Sequence, residues 1–417
     1  MYEDVKILSG FGNRYAGSEA EHKASNFVSQ AFKESGFMIK EEPFDIQGYE
    51  EKNSWIEVNG KRFDTRAMFY SISTPDAGIK APLVYAGFGR PEDYKDLNVN
   101  DKIVLIRRDQ ETEKDQYWPE ICTAAKFGAK AVVLINFTSW IFITTLETGL
   151  FEAGKRFLPI EPEAIPALIV NKEAGEEIIK IIETETAVGR VYVKTINEKR
   201  CSVNVRGIKE GTDLPDEKIL IYGHRDSAGT PGGNDNGSGT VIMMELARIF
   251  QNLSTKRTIE LVSLGAEEQL GSVGSMEYIA YHKDQLANIK GAIELDMVAA
   301  GSPLWVVTGG NWPDRKIVFH QGICKYVLDV AKEMGYYMEQ GFCSLGTPDS
   351  GRFSEAGVPT TWIWGPGDIY YHSPEDTADK VDPNKLKVIA DIIATALYNL
   401  ANSDSVEEIY KKMGGSV

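Results

Sequence analysis

From about residue 218 onward, short apolar runs alternate with helix-period segments, and this restricts the fold more than any other property of the chain. Strand candidates are Lys218–Tyr222, Thr258–Leu264, Gly291–Leu295 and Thr360–Trp364; helices are predicted at Gly239–Gln251, Ser275–His282, Arg315–Met334 and Asn384–Asn402. Such alternation specifies an α/β architecture: a mostly parallel sheet covered by helices on both faces. Near the start, Ala24, Phe27, Val28, Ala31 and Phe32 fall at helical spacing between a capping Ser18 and a terminating Gly36. Strand-like runs follow at Met38–Phe44 and Ser54–Val58. The stretch from Pro82 to Lys194 reads as a unit with its own core, built from the buried strands Leu83–Ala86, Lys102–Ile106, Ala131–Ile135 and Ala167–Val170. A chain of 417 residues exceeds what one core usually organises. The sequence therefore predicts residues 1–70 and 198–417 as one domain and 71–197 as an insertion within it.

A formal net charge of −16 lacks the basic footprint that nucleic acid or an anionic membrane requires, so neither is expected as a partner. Cys122, Cys201, Cys324 and Cys343 show no CxxC spacing, which fits reduced thiols in a cytoplasm. The N-terminus shows no signal-peptide core, and the most apolar stretch, Ala131–Phe151, is interrupted by Asn136, Thr138, Ser139 and Glu147. A soluble cytoplasmic protein is the expectation, with assembly into a homo-oligomer left open.

Ligands of open α/β sheets bind beyond the carboxyl ends of the strands, and polar residues gather there. Lys218–Gly223 runs into His224-Arg225-Asp226-Ser227. A glycine-rich turn carrying Asp235 then enters a helix. Thr258–Gly265 leads to Glu267-Glu268, Gly291–Leu295 ends at Asp296, and Tyr371-His372 follow the strand around Trp362. Alone, each has an ordinary reading: a Glu-Glu pair is commonly a solvated loop, and Asp-Asn-Gly a tight turn. Together they supply imidazole and carboxylate, the ligand chemistry of zinc, with enough carboxylates for two metals to share one. The remaining histidines, His22, His282 and His320, sit in or beside helices and are expected at the surface.

In this order, the pieces Gly-His224-Arg-Asp226-Ser, Gly-Gly-Asn-Asp235-Asn-Gly-Ser-Gly, Gly-Ala-Glu267-Glu268, Glu-Leu-Asp296-Met and Tyr371-His372-Ser-Pro-Glu-Asp-Thr resemble the co-catalytic zinc peptidases that include the bacterial aminopeptidases and glutamate carboxypeptidase. The resemblance implies a zinc exopeptidase fold and two Zn2+ ions, with His224 and Asp296 on one, Glu268 and His372 on the other, and Asp235 bridging. It implies Glu267 as general base, Asp226 as the carboxylate orienting His224, and Tyr371 as the hydrogen-bond donor to the oxyanion. It also implies a cis peptide between Asp235 and Asn236. Asp101–Arg108 and Ala124–Val133 resemble a protease-associated domain, so the insertion is expected to be α+β. Arg225 departs from the pattern, standing where an apolar or aromatic residue of the pocket wall is expected.

The function implied is hydrolysis of a terminal peptide bond, with release of an N-terminal residue from a short peptide first. One alternative is a glutamate-carboxypeptidase-like carboxypeptidase, with Arg107, Arg108 and Arg352 as candidate carboxylate-binding groups. The other is a catalytically inactive binding protein of the same fold. Tyr117, Trp118, Phe137, Trp140 and Phe142 fit a lid, a core or an interface equally well.

Overall fold

The computed structural model describes residues 1–108, 120–141, 165–268, 271–312, 315–344 and 346–414. The chain divides into two compact units, Met1–Ile46 with Arg200–Val417, and Gln47–Lys199. The first crossing lies upstream of the sequence-based position because residues 56–58 and 61–63 pair as a hairpin, and Arg66–Ala67 pairs with 168–169, all within the second unit. Tyr117, Trp118 and Phe142 lie outside the described residues.

The larger unit begins with α1 (Tyr2–Gly10) and α2 (Glu19–Glu34). Ser18 caps α2 by accepting the Glu21 amide at 3.2 Å, which satisfies one of the donors a helix start leaves open. The chain then enters the long strand β1 (Met38–Val58).

In the second unit β2 (Lys61–Phe63), β3 (Arg66–Ala67), β4 (Ile79–Tyr85), β5 (Ile103–Arg107), α3 (Glu120–Lys126), β6 (Ala131–Ile135), β7 (Ala167–Val170) and α4 (Lys172–Thr184) follow in order. Strands β4 to β7 are parallel neighbours in sequence order, whereas β3 pairs antiparallel to β7, and β4 antiparallel to β8 (Val188–Lys209). Ile103, Leu105, Val133, Ile135 and Leu168 pack with Ile178 of α4 in this unit's own core.

Back in the larger unit come β9 (Leu214–His224), α5 (Gly237–Phe250), β10 (Arg257–Leu264), α6 (Val273–Tyr281), β11 (Ile289–Leu295), β12 (Trp305–Trp312), β13 (Arg315–Val318), α7 (Gln321–Glu333), β14 (Glu339–Cys343), α8 (Asp349–Glu355), β15 (Thr360–Trp364), α9 (Pro383–Asn402) and α10 (Val406–Lys412). The order β10-β9-β11-β15 is parallel throughout, flanked by antiparallel β8 on one side and β12 on the other. Side chains alternate across this sheet, as a pleat with period two requires. Ile219, Ile221, Ile259 and Leu261 meet the buried apolar residues of α5 and α9. Leu220, Tyr222, Val262 and Leu264 meet Tyr278 of α6 and Phe353 of α8. Helix α5 is apolar nearly all round, the pattern of a helix enclosed on every side.

Two sequence expectations are corrected. Residues 315–318 form a strand rather than the start of a helix: only Ile317 is buried in Arg-Lys-Ile-Val, and the four pair antiparallel with β12. His282 is buried, not superficial, and its Nε2 lies 2.9 Å from Glu42 Oε1. That contact belongs to a buried ionic network. Arg206 joins Glu42 and Glu260 at 2.6 Å each, and the Lys218 ammonium and Tyr278 hydroxyl also reach Glu260, at 3.1 and 3.0 Å.

Burial raises the affinity of Glu260 for a proton, but Arg206 and Lys218 more than offset this and hold its carboxyl below the ordinary value. A depressed carboxyl stabilises the fold above its unfolded-state pKa, and the contribution fades as pH falls through the folded-state value. Glu260→Gln is therefore expected to cost about 3–5 kcal/mol at neutral pH, as removal of one partner from a buried pair usually does. The deficit should shrink below about pH 4.5, where the parent protein loses the same contribution. Urea unfolding of both proteins at pH 7 and at the acid limit of folding checks this; a deficit that grows on acidification contradicts it.

No helix among the described residues is long and apolar enough to cross a membrane.

Candidate metal centre

Three adjacent parallel strands deliver the first residues. His224 is the last residue of β9, Asp296 follows β11, and Glu267 and Glu268 follow β10 after a two-residue turn. Asp235 stands two residues before α5, whose N-cap Asn236 accepts the Gly239 amide at 2.9 Å. His372 comes from the loop beyond β15 with a left-handed backbone, φ 54°. The Asp235–Asn236 peptide is cis.

These side chains converge in two overlapping triads. His224, Asp235 and Asp296 form one, and Asp235, Glu268 and His372 the other, with one ligand atom from each residue lying within 4.8 Å of the rest. Asp235 belongs to both: its Oδ1 is 3.4 Å from His224 Nε2 and its Oδ2 is 3.4 Å from His372 Nε2. Asp296 Oδ1 lies 3.3 Å from His224 Nε2, and Glu268 Oε2 lies 2.8 Å from His372 Nε2.

The donor set fits a metal on chemical grounds. His224 Nδ1 faces the Asp226 backbone oxygen at 3.2 Å and its carboxylate at 3.6 Å, both acceptors, so Nδ1 carries the hydrogen. Nε2 is then an acceptor aimed at two carboxylate oxygens, which also only accept. A metal cation between them resolves that conflict, as a second ring proton does when no metal is bound. Glu268 Oε1 is buried with no hydrogen-bond partner among the described residues, a second sign that something beyond the chain completes the site. The charges report the same crowding. Burial works to lower His224 and His372, yet the surrounding carboxylates raise both well above an ordinary imidazole. Burial and then Asp235 push Glu268 up, against His372. Asp235 moves down because, although burial opposes it, two imidazoles face it.

Glu267 is half-buried and groups with His224 and Glu268 within the same 4.8 Å, beside both triads. Ser272 Oγ donates to Glu267 Oε1 at 3.3 Å. Burial raises the Glu267 carboxyl well above its ordinary value, with His224 opposing and Glu268, Asp349 and Asp226 adding to the rise. Asp226 does more than face His224: its two oxygens accept the Glu267 and Glu268 amides at 3.1 Å each, fixing the start of that loop. The Tyr371 ring stacks on His372 with centroids 3.7 Å apart. Arg225 does not wall a pocket. It is fully buried, paired with Glu21, and donates to the backbone oxygens of Ser263 and Val203.

Several residues that hold the site had no sequence signal of their own. Asp376 accepts the Asn234 and Asp235 amides at 2.8 and 3.0 Å, and burial drives its carboxyl up to about 8 while those amides oppose the rise. Asn234 Oδ1 accepts the Ala299 and Ala300 amides, and Asn236 Nδ2 donates to Leu295 O. The turn carrying Asp235 is thereby laced to the segment carrying Asp296. Asp376, Asn234 and Asn236 all lie inside the quoted motifs, and that membership was the only available hint.

Residues 204–397, which contain every member of both triads, match the model of peptidase family M28. Residues 204–397 are a peptidase family M28 domain. Residues 79–178 match the PA domain model, so this M28 peptidase carries the inserted domain its sequence resembles. Among curated M28 relatives, aminopeptidase YwaD of Bacillus subtilis is 27% identical over 99% of this chain and 86% of its own length. Human carboxypeptidase Q is 26% identical over 97% of the chain and 86% of its own. Among solved structures, the zinc aminopeptidase BSAP of Bacillus subtilis superposes with a TM-score of 0.78 at 25% identity, covering 97% of this chain and 95% of that one.

Proposed function

We propose that this M28 peptidase is a zinc-dependent exopeptidase that releases the N-terminal residue of short peptides. The observation carrying this reading is one carboxylate, Asp235, facing two histidines from opposite oxygens, with Glu267 beside both triads. His224 and Asp296 are assigned to one Zn2+, Glu268 and His372 to a second, and Asp235 to both. When bound, a zinc pair supplies Lewis-acid polarisation of the scissile carbonyl and acidifies water. Glu267 takes the proton from the attacking water and delivers it to the leaving amine. Its raised affinity for protons suits both halves of that transfer. Tyr371 donates its hydroxyl hydrogen to the oxyanion of the tetrahedral intermediate. Asp226 keeps the His224 hydrogen on Nδ1, leaving Nε2 free to coordinate. The inserted domain is taken as Gln47–Lys199 in place of the sequence-based 71–197, with Met1–Ile46 and Arg200–Val417 forming the catalytic domain.

The similarity to aminopeptidase YwaD and to zinc aminopeptidase BSAP supports amino-terminal cleavage. The carboxypeptidase reading keeps one specific support besides carboxypeptidase Q: Arg352 of α8 reaches Gly271 O at 3.2 Å, on the loop that follows Glu268. Arg107 and Arg108 belong to the other compact unit. Hydrolysis of one peptide offered with free ends, with an acetylated N-terminus and with an amidated C-terminus separates the readings. Loss of cleavage on acetylation alone is expected; loss on amidation alone shifts the assignment to a carboxypeptidase.

A further inference from the structure

Arg14 lies between α1 and α2, fully buried, and no carboxylate among the described residues comes within ion-pair distance of it. Its guanidinium instead spends its hydrogens on backbone oxygens. Nε donates to Arg225 O at 2.7 Å, Nη2 to Gly232 O at 2.9 Å, and Nη1 to Pro231 O and to Leu8 O. Three of these four oxygens belong to one loop, residues 225–232, which runs from His224 toward Asp235. The Arg14 backbone grips the same loop: its amide donates to Ser227 Oγ and its carbonyl accepts the Ser227 amide, both at 3.0 Å.

Gly232 has φ +59°, and a side-chain carbon there would come within 2.5 Å of Arg14 Nη2 and of Asp235 O. The loop is thus shaped around the guanidinium. A planar fork with five hydrogens on three nitrogens can span carbonyls set well apart, whereas a lysine ammonium directs its three hydrogens from a single atom. Burial lowers the affinity of Arg14 for its proton, and the carboxylates of Asp376, Asp226, Asp235 and Glu268 counter that. A buried cation hydrogen-bonded only to backbone oxygens is tolerable here because the acid-rich centre lies close by.

We infer that Arg14 is a positioning residue of the metal centre: by bracing residues 225–232 it sets His224 and Asp235 for coordination before zinc arrives. The inference rests on the zinc reading above. The triad with two of its three ligands at the ends of this loop, His224, Asp235 and Asp296, should feel its loss most.

The test is a zinc titration of the full chain against a chromophoric chelator, alongside thermal melting. Arg14→Met is expected to weaken the tighter-affected zinc by about 10–100-fold, the usual cost of removing a residue that orients metal ligands. Arg14→Lys should fall between it and the parent. Arg257→Met is the control: Arg257 is equally buried and also donates to backbone oxygens, those of Leu400 and Ser403, but at the opposite end of β10. It should lose stability and keep parental zinc affinity. Arg14→Met within twofold of the parent overturns the inference, as does an equal loss in Arg257→Met. If Arg14→Met does not fold, Arg14→Lys decides, and affinity within twofold of the parent overturns it. Failure of the parent to bind two zinc ions appears in the same titration and strikes the zinc reading instead.

Discussion

Replacing Glu267 with glutamine is expected to cut peptide turnover by about 10²–10⁴ while leaving zinc binding close to that of the parent protein. Adjacent glutamates, chemically identical, are here held differently. Glu268 is fully enclosed against His372, with its Oε2 at 2.8 Å from the imidazole. Glu267 is half-buried, and its side chain accepts a hydrogen bond from the Ser272 hydroxyl. Both amides are anchored by Asp226, so the glutamine variant should keep its loop and nearly its shape. What it loses is a basic oxygen. Near-normal turnover in Glu267→Gln, with zinc content verified, would remove the proposed proton transfer.

The second large effect concerns Asp235. Asp235→Ala is expected to weaken both zinc ions, each by more than the about 10–100-fold that follows loss of an outer hydrogen-bonding partner. No residue but this one belongs to both triads. Its backbone is secured independently by Asp376, and Asn234 and Asn236 tie the flanking turn to the Asp296 segment, so the substitution should leave the frame standing. Glu268→Gln provides the contrast. It removes a ligand from one triad, so excess zinc should restore part of the activity there and none in Asp235→Ala. Metal content after dialysis, measured beside activity over a range of added zinc, decides; one tightly held zinc in Asp235→Ala would contradict a bridging role.

The sheet and the convergence of the named side chains were legible because both follow from strand order. Apolar runs fix β9, β10, β11 and β15, and in a parallel sheet their carboxyl ends must share an edge. His224, Glu268 and Asp296 could hardly lie elsewhere. The supporting contacts were hidden for an equally physical reason. Arg14 acts on carbonyl oxygens, which every residue possesses, at a separation of 211 positions from Arg225. Asp376 likewise binds amides rather than side chains. Burial of His282 depends on a carboxylate 240 residues away. The strand at 315–318 has one apolar side chain facing the core, too few to establish a period.

The discontinuity of the larger unit sets a timetable for biosynthesis. Arg14 and Glu21 leave the ribosome more than 200 residues ahead of the segment they grip, Arg225 to Gly232. At about 5–20 residues per second, that interval is on the order of 10–40 s. Throughout it, α1, α2 and the arginine between them exist without their sheet, while Gln47–Lys199 emerges whole. The guest unit can therefore complete its fold while its host is still being translated. His224, Asp235, Glu268, Asp296 and His372 emerge only afterwards, in that order. A nascent chain with hydrolytic capacity would endanger its neighbours, and on the zinc assignment proposed above this residue order defers the capacity until His372 appears.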